Sequence, residues 1–356
     1  MKKQLIHLFL MAATLASAQE KGLKDYFKDY FPVGVAVSPR LLESAEESNL
    51  ILREFNSLTA ENVMKMGPIH PKPDAYNWGP ADKIVQFART NGLLMRGHTL
   101  CWHSQAPNWF FTDSLGKQVD KNTLLERLRA HIFAVAGRYQ SDVYAWDVVN
   151  EAISDAEEEF YRPSLFYQIC GEEYIAKAFE FAHEAAPDAL LFYNDYNTEN
   201  PVKREKIIKM VQELRAKGVP IHGIGLQGHW SIYGLGKERF LESMARYASL
   251  GLKLHITELD VSVYPSENGR REKRPDEPDA FTPEMEAQQI EQYRMLFEVI
   301  RQYRDHISSV TFWNLSDRSS WLDNFPVRGR KNYPLLFDQQ LQRKKAYPVI
   351  LPAEQQ

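Results

Sequence analysis

Residues 143–151 read V-Y-A-W-D-V-V-N-E. The run Val143–Val148 is short, mostly apolar and rich in β-branched and aromatic side chains, as suits a buried strand. It leads into an amide and a carboxylate, Asn150 and Glu151, which an apolar core would not select. The same form recurs along the chain. Strand-like runs are expected at Val33–Val37, Arg53–Leu58, Leu93–His98, Leu190–Tyr193, Gly223–Gln227, Lys253–Thr257 and Ser309–Trp313. Amphipathic helical patterns lie between them, among them Asn122–Arg138, Glu172–Ala186, Pro201–Lys217, Glu238–Leu250 and Pro283–Arg304. Pro201 suits a first helical turn, and Gly218 and Gly251 stand where helices should end. Strands alternating with helices imply parallel pairing, and eight such units close a barrel. We therefore expect the α/β class, as one (β/α)8 TIM barrel. An open doubly wound sheet competes, but no Gly-rich phosphate fingerprint follows the first run.

The residues at the run ends say more than the number of runs. They are Glu61-Asn62, His98, Asn150-Glu151, Asn194-Asp195, Gln227-Gly228-His229, Glu258 and Trp313. In a barrel these C-terminal ends form one ring, where catalytic groups gather. Solvent exposure would explain a few polar residues there, not a series of carboxylates, amides, imidazoles and a tryptophan.

The 356 residues are 44% apolar and 25% charged, an ordinary globular composition with no Pro- or Ser/Gly-rich linker. The chain opens M-K-K-Q-L-I-H-L-F-L-M-A-A-T-L-A-S-A. A basic start, a short apolar stretch and Ala16-Ser17-Ala18 predict a signal peptide over residues 1–18, with one catalytic domain over 19–356. An exported protein, periplasmic or extracellular, is the expectation. No Cys follows the expected cleavage site, so no lipid anchor is expected, and no later stretch is apolar enough to span a bilayer. Of 43 basic and 47 acidic residues only Lys2 and Lys3 fall in the leader, so the charge moves from −4 to −6 on its removal. That balance does not favour nucleic acid or anionic membranes. Cys101 and Cys170 are expected to be separate apolar fillers rather than a disulfide. A monomer is expected.

Two carboxylates stand out, Glu151 and Glu258, both at the ends of buried runs where a carboxyl pKa is open to tuning. Acetal hydrolysis needs an acid for the departing oxygen and a carboxylate to meet the oxocarbenium-like centre. Either Glu alone reads as an ion-pair partner; on strands four and seven, among aromatics, the two read as a catalytic pair. His98, His103 and His229 lack the compact carboxylate or thiolate neighbours of a metal site, so neither metal nor cofactor is expected.

The sequence resembles glycoside hydrolase family 10, the barrel endo-1,4-β-xylanases. The motifs are T-A-E-N-V-M-K at 59–65, G-H-T-L-C-W-H-S-Q-A-P at 97–107, W-D-V-V-N-E at 146–151, G-L-Q-G-H at 225–229 and I-T-E-L-D at 256–260, with Trp313 after them. The resemblance implies a retaining enzyme acting on xylan and xylo-oligosaccharides, with Glu151 as acid/base and Glu258 as nucleophile. It implies that Asn150 meets the sugar 2-hydroxyl and that His229 contacts the nucleophile, with Gln227 and Asp260 supporting. Glu61, Asn62, Lys65, His98, Trp102, Gln105, Trp313 and Trp321 match the glycone-side sugar positions, and Tyr196 and Asn197, after the fifth strand, are expected as leaving-side contacts. Trp313 and Trp321 are expected to crowd out a C6 hydroxymethyl group, favouring xylose over glucose. Two positions depart from the pattern: Asn314 stands where the family usually has Gly, and Cys101 where it has a branched aliphatic residue. A β-1,4-glucanase, or a mixed xylanase/cellobiohydrolase-like activity, is the alternative on the same barrel. A non-catalytic carbohydrate binder is a further one, disfavoured by the intact carboxylate pair.

Overall fold

The computed structural model describes residues 20–267 and 269–352. The expected signal peptide, residues 1–18, lies outside the described residues. Eight parallel strands form the barrel: β1 Val33–Val37, β2 Ser57–Ala60, β3 Leu94–Trp102, β4 Val143–Asn150, β5 Leu190–Asp195, β6 Gly223–Leu226, β7 Lys253–Ser262 and β8 Ile307–Phe312. Each pairs with the next in sequence, and β8 pairs with both β7 (Ile307 beside Leu254) and β1 (Val310 beside Val33), which closes the sheet. Helices such as Trp78–Thr90, Lys121–Arg138, Glu173–Ala185, Pro201–Ala216, Lys237–Ala248 and Pro283–Gln302 cover the outside. Their starts follow capping chemistry. Asp120, Asn200 and Thr282 side chains accept from main-chain N–H groups of the first turns, and Pro201 and Pro283 open their helices.

The second strand lies elsewhere than expected. Arg53 and Glu54 end the helix Ala45–Glu54, capped by Ser44, and β2 is Ser57–Ala60. Leu50, Ile51 and Phe55 bury one face of that helix and its exit, and so short an apolar run has the same composition in either element. Glu54 is fully buried, with its carboxylate accepting from Leu23 N–H at 3.0 Å, Tyr347 O–H at 2.7 Å and Arg343 at 2.8 Å. It thereby ties the first and last described helices to the barrel. β3, β4, β5 and β7 also run further than expected, so several ring residues sit on the strands themselves.

The barrel interior is partly polar. Arg96 and Asp147, from adjacent strands, form a buried bidentate ion pair, and Arg96 Nε also donates to His255 Nδ1 at 3.2 Å. Burial, helped by the nearby Arg96 charge, holds His255 well below the ordinary imidazole range. Gly97 makes room beside them, since a Cβ there would lie 2.1 Å from the Trp146 ring. Cys101 and Cys170 are both buried and unpaired with one another. No helix among the described residues is long and apolar enough to cross a membrane.

Removing one partner of a buried ion pair strands the other charge. Arg96→Met should therefore destabilise the protein by about 3–5 kcal/mol. Arg96→Met with Asp147→Leu should recover part of that loss in urea unfolding; a double variant as unstable as the single one would contradict this account.

Candidate active site

The C-terminal ends of β2 to β8 bring the expected residues to one mouth. Register does much of the positioning. Trp102 lies beside Asn150, and Asn150 beside Asn194, while the short strand His229–Ser231 pairs with the end of β7 so that His229 neighbours Asp260.

Glu151 follows β4 with φ 58°, a left-handed conformation that a side-chain-bearing residue adopts only when its surroundings hold it. Bonds to its main chain hold it here, and others hold its carboxylate. Its N–H donates to the Asn194 carbonyl at 2.9 Å, its own carbonyl accepts from Arg162 Nε at 2.9 Å, and Trp102 Nε1 donates to Oε2 at 2.9 Å. Gln227 Nε2 (2.9 Å) and Asn150 Nδ2 (3.1 Å) donate to Oε1. Burial raises the Glu151 pKa, the Asp195 and Glu258 charges add to the rise, and the Gln227 and Trp102 hydrogen bonds oppose it.

Glu258 lies on β7 in the opposite condition. His229 Nε2 is 3.1 Å from Oε2, Asn194 Nδ2 donates to Oε1 at 2.8 Å, and His98 Nδ1 lies 4.0 Å away. Burial would raise its pKa, but the His98 charge and the bond and charge of His229 outweigh burial, and the pKa falls. His229 stands between two carboxylates, with Nδ1 2.9 Å from Asp260 Oδ2. Burial favours the neutral ring, yet Asp260 and Glu258 prevail and raise it to about 10. Both ring nitrogens of that imidazolium donate.

Asn194, seen in the sequence only as a polar strand end, links the two carboxylate systems. Its Nδ2 donates to Asn150 Oδ1 and to Glu258 Oε1, both at 2.8 Å, and its Oδ1 accepts from Thr257 at 2.7 Å. Arg162 gave no sequence signal at all, because it acts on Glu151 through a main-chain carbonyl.

The expected sugar-side residues gather around this pair to different degrees. Lys65 is buried, donates to Asn62 Oδ1 at 2.9 Å, and lies 5.1 Å and 5.9 Å from the Trp102 and Trp313 ring centres. Burial lowers its pKa against the pull of Glu258, Glu61 and Glu151. His98 bonds Asp147 at 2.9 Å and meets the Trp313 ring edge-on at 5.3 Å. Trp321 Nε1 donates to Asp260 Oδ2 at 2.8 Å. Glu61 and Gln105 stand at the rim, their side chains unbonded among the described residues, and Gln105 has φ 58°. Tyr196 lies on the side of Arg162, accepting from its Nη2 at 2.8 Å and donating to Asp155, with Lys203 Nζ 3.8 Å over its ring. Among the described residues no group of three or more His, Cys, Asp or Glu could hold a metal ion.

A closed (β/α)8 barrel with two carboxylates at one mouth, one raised and one lowered in pKa, is the arrangement of a glycoside hydrolase. The chain belongs to glycosyl hydrolase family 10, whose profile matches residues 22–353. It is 46% identical to the endo-1,4-beta-xylanase B of Paenibacillus barcinonensis over 335 residues, covering 94% of this chain and 99% of that one. It is 48% identical to a beta-1,4-xylanase of Dictyoglomus thermophilum, covering 92% and 90%. The crystal structure of a xylanase from Paenibacillus barcinonensis, complexed with a conduramine derivative, superposes with a TM-score of 0.90 over 94% of this chain and 99% of that chain, at 46% identity.

The His229 imidazolium also predicts a pH dependence of stability. Its folded pKa, about 10, exceeds the unfolded value of about 6.5. Its contribution is fully present below about pH 6.5 and disappears as the pH rises through the folded pKa. Chemical unfolding of wild type and His229→Gln should differ more at pH 6 than at pH 10. A difference that grows with pH would contradict a charged His229.

Proposed function

We propose that this protein is a retaining endo-1,4-β-xylanase in which Glu151 is the acid/base and Glu258 the nucleophile. The observation that carries the assignment is the opposite pKa displacement of two like residues in one site. Burial and the Asp195 charge raise the Glu151 pKa, which makes it the better proton donor of the pair. Glu258, beside the His98 and His229 imidazoles, stays ionised and ready to attack.

In the first step a Glu258 oxygen bonds to the anomeric carbon as the glycosidic C–O bond breaks. Glu151 gives its proton to the departing oxygen, which leaves as the alcohol of the shortened chain. In the second step Glu151, now a carboxylate, takes a proton from water, and the water oxygen displaces Glu258 from the same carbon. Two inversions leave the anomeric configuration unchanged, which requires the carboxyl groups about 5–5.5 Å apart. Asn150 meets the 2-hydroxyl, and His229, held by Asp260, orients the Glu258 carboxylate. Lys65, Asn62, Glu61, His98, Trp102 and Gln105 bind glycone sugars, with Gln227 supporting Glu151 and Tyr196 on the leaving side. Trp313 and Trp321 crowd the space of a hydroxymethyl group, which selects xylose. With the leader 1–18 removed, the enzyme works as an exported monomer.

Glu258→Ala should fold normally and lose turnover on xylan, and azide should restore cleavage with formation of the α-glycosyl azide. Full activity without azide would end the nucleophile assignment. Glu151→Ala should cost about 10²–10⁴-fold on xylo-oligosaccharides, the usual worth of general acid catalysis, and far less on dinitrophenyl xylobioside, whose leaving group needs no proton. The wild-type kcat/KM profile should be bell-shaped, its alkaline limb missing in that variant. Equal losses on both substrates would point to a structural role for Glu151.

A further inference from the structure

Asn314, two residues beyond β8, is buried and has φ 98°, a conformation that glycine adopts freely and other residues do not. Its side chain accounts for its presence. Asn314 Oδ1 accepts from the Trp321 main-chain N–H at 2.9 Å, across the bend that carries Trp321 back over the mouth. A main-chain N–H only donates, so the amide orientation is unambiguous.

Trp321 is held at its other end too. Its Nε1 donates at 2.8 Å to Asp260 Oδ2, the same oxygen that lies 2.9 Å from His229 Nδ1. One face of the indole stacks on Phe325, with centres 5.2 Å apart and planes 20° from parallel. The His229 ring is 4.7 Å away on the side of the nucleophile. The Trp321 carbonyl accepts from Asn324 N–H at 3.0 Å within the same turn, while the Asn314 bond ties the Trp321 N–H back to the residues beyond β8, so it limits how far the turn and its ring can be pushed as a body. A sugar bearing a hydroxymethyl group has to push it, and in doing so it strains the Trp321–Asp260 bond and, through the shared oxygen, the His229–Glu258 contact.

We infer that Asn314 is a specificity-positioning residue: by pinning the Trp321 main chain it turns a movable indole into a fixed wall against substituted sugars. The inference rests on the reading of Trp321 as the residue that excludes the hydroxymethyl group. Because the wall is wired to His229, rejection of the wrong sugar is expected in kcat as well as in KM.

The test compares kcat and KM for aryl xylobioside and aryl cellobioside across wild type, Asn314→Gly, Asn314→Asp and Trp321→Ala. Glycine keeps the left-handed main chain and removes the pin, so the fold is retained; a thermal midpoint close to wild type checks this. Asn314→Gly should narrow the preference for xylobioside by about two- to tenfold, the worth of one hydrogen bond, with cellobioside kcat rising. Asn314→Asp keeps an acceptor oxygen and should keep the xylobioside preference near wild type, even where the buried carboxylate lowers the thermal midpoint. If Trp321→Ala narrows the preference while Asn314→Gly leaves it unchanged, the Asn314 inference is wrong and the Trp321 reading stands. If Trp321→Ala itself leaves the ratio unchanged, the reading beneath it fails and the inference falls with it.

Discussion

Hydrogen bonding of β8 to both β7 and β1 turns an open sheet into a ring, and every feature of the site follows from that closure. All eight strands are parallel, so their C-terminal ends share one rim. Glu151 and Glu258 are 107 positions apart in sequence, yet Asn194 on β5, one of the two strands between them, touches the Asn150 amide with one N–H and the Glu258 carboxylate with another. An open sheet with the same strands would leave no enclosed mouth between strands four and seven.

Within that ring, environment separates two chemically identical side chains. Glu151 is buried against amide and indole donors with the Asp195 charge nearby, while Glu258 is buried against imidazoles. Desolvation acts on both in the same direction, so the difference arises from the charged neighbours. Beneath them the buried Arg96–Asp147 pair bonds His98, so the barrel interior continues the electrostatics of the site inward.

Several left-handed non-glycine residues, Gln105, Glu151, Asn197 and Asn314, lie around the mouth. Each such conformation costs roughly 1–3 kcal/mol and persists only where the surroundings impose it. For Glu151 those surroundings are the Asn194 carbonyl and the Arg162 guanidinium; for Asn314, the Trp321 main chain. The arrangement aims an acid side chain into the cleft in one case and fixes an aromatic wall in the other.

Much was legible in the sequence because barrel strands are short apolar runs whose polar ends stand out, and Asn150-Glu151, Gln227, His229 and Glu258 are such ends. Arg53 and Glu54 misled, since the apolar face of a short helix and a buried strand have the same composition. Asn194 was visible as a polar end but not as the bridge between the carboxylates, because bridging depends on the register of β5 against β4. Arg162 was invisible, as its target is a main-chain carbonyl that every residue possesses. The amino-acid sequence alone determined which elements form and which polar groups they carry to the rim. Only the closed tertiary structure decided which carboxylate is desolvated beside a negative charge and which beside imidazoles. Those energies depend on distances across the barrel, and no local pattern encodes such distances.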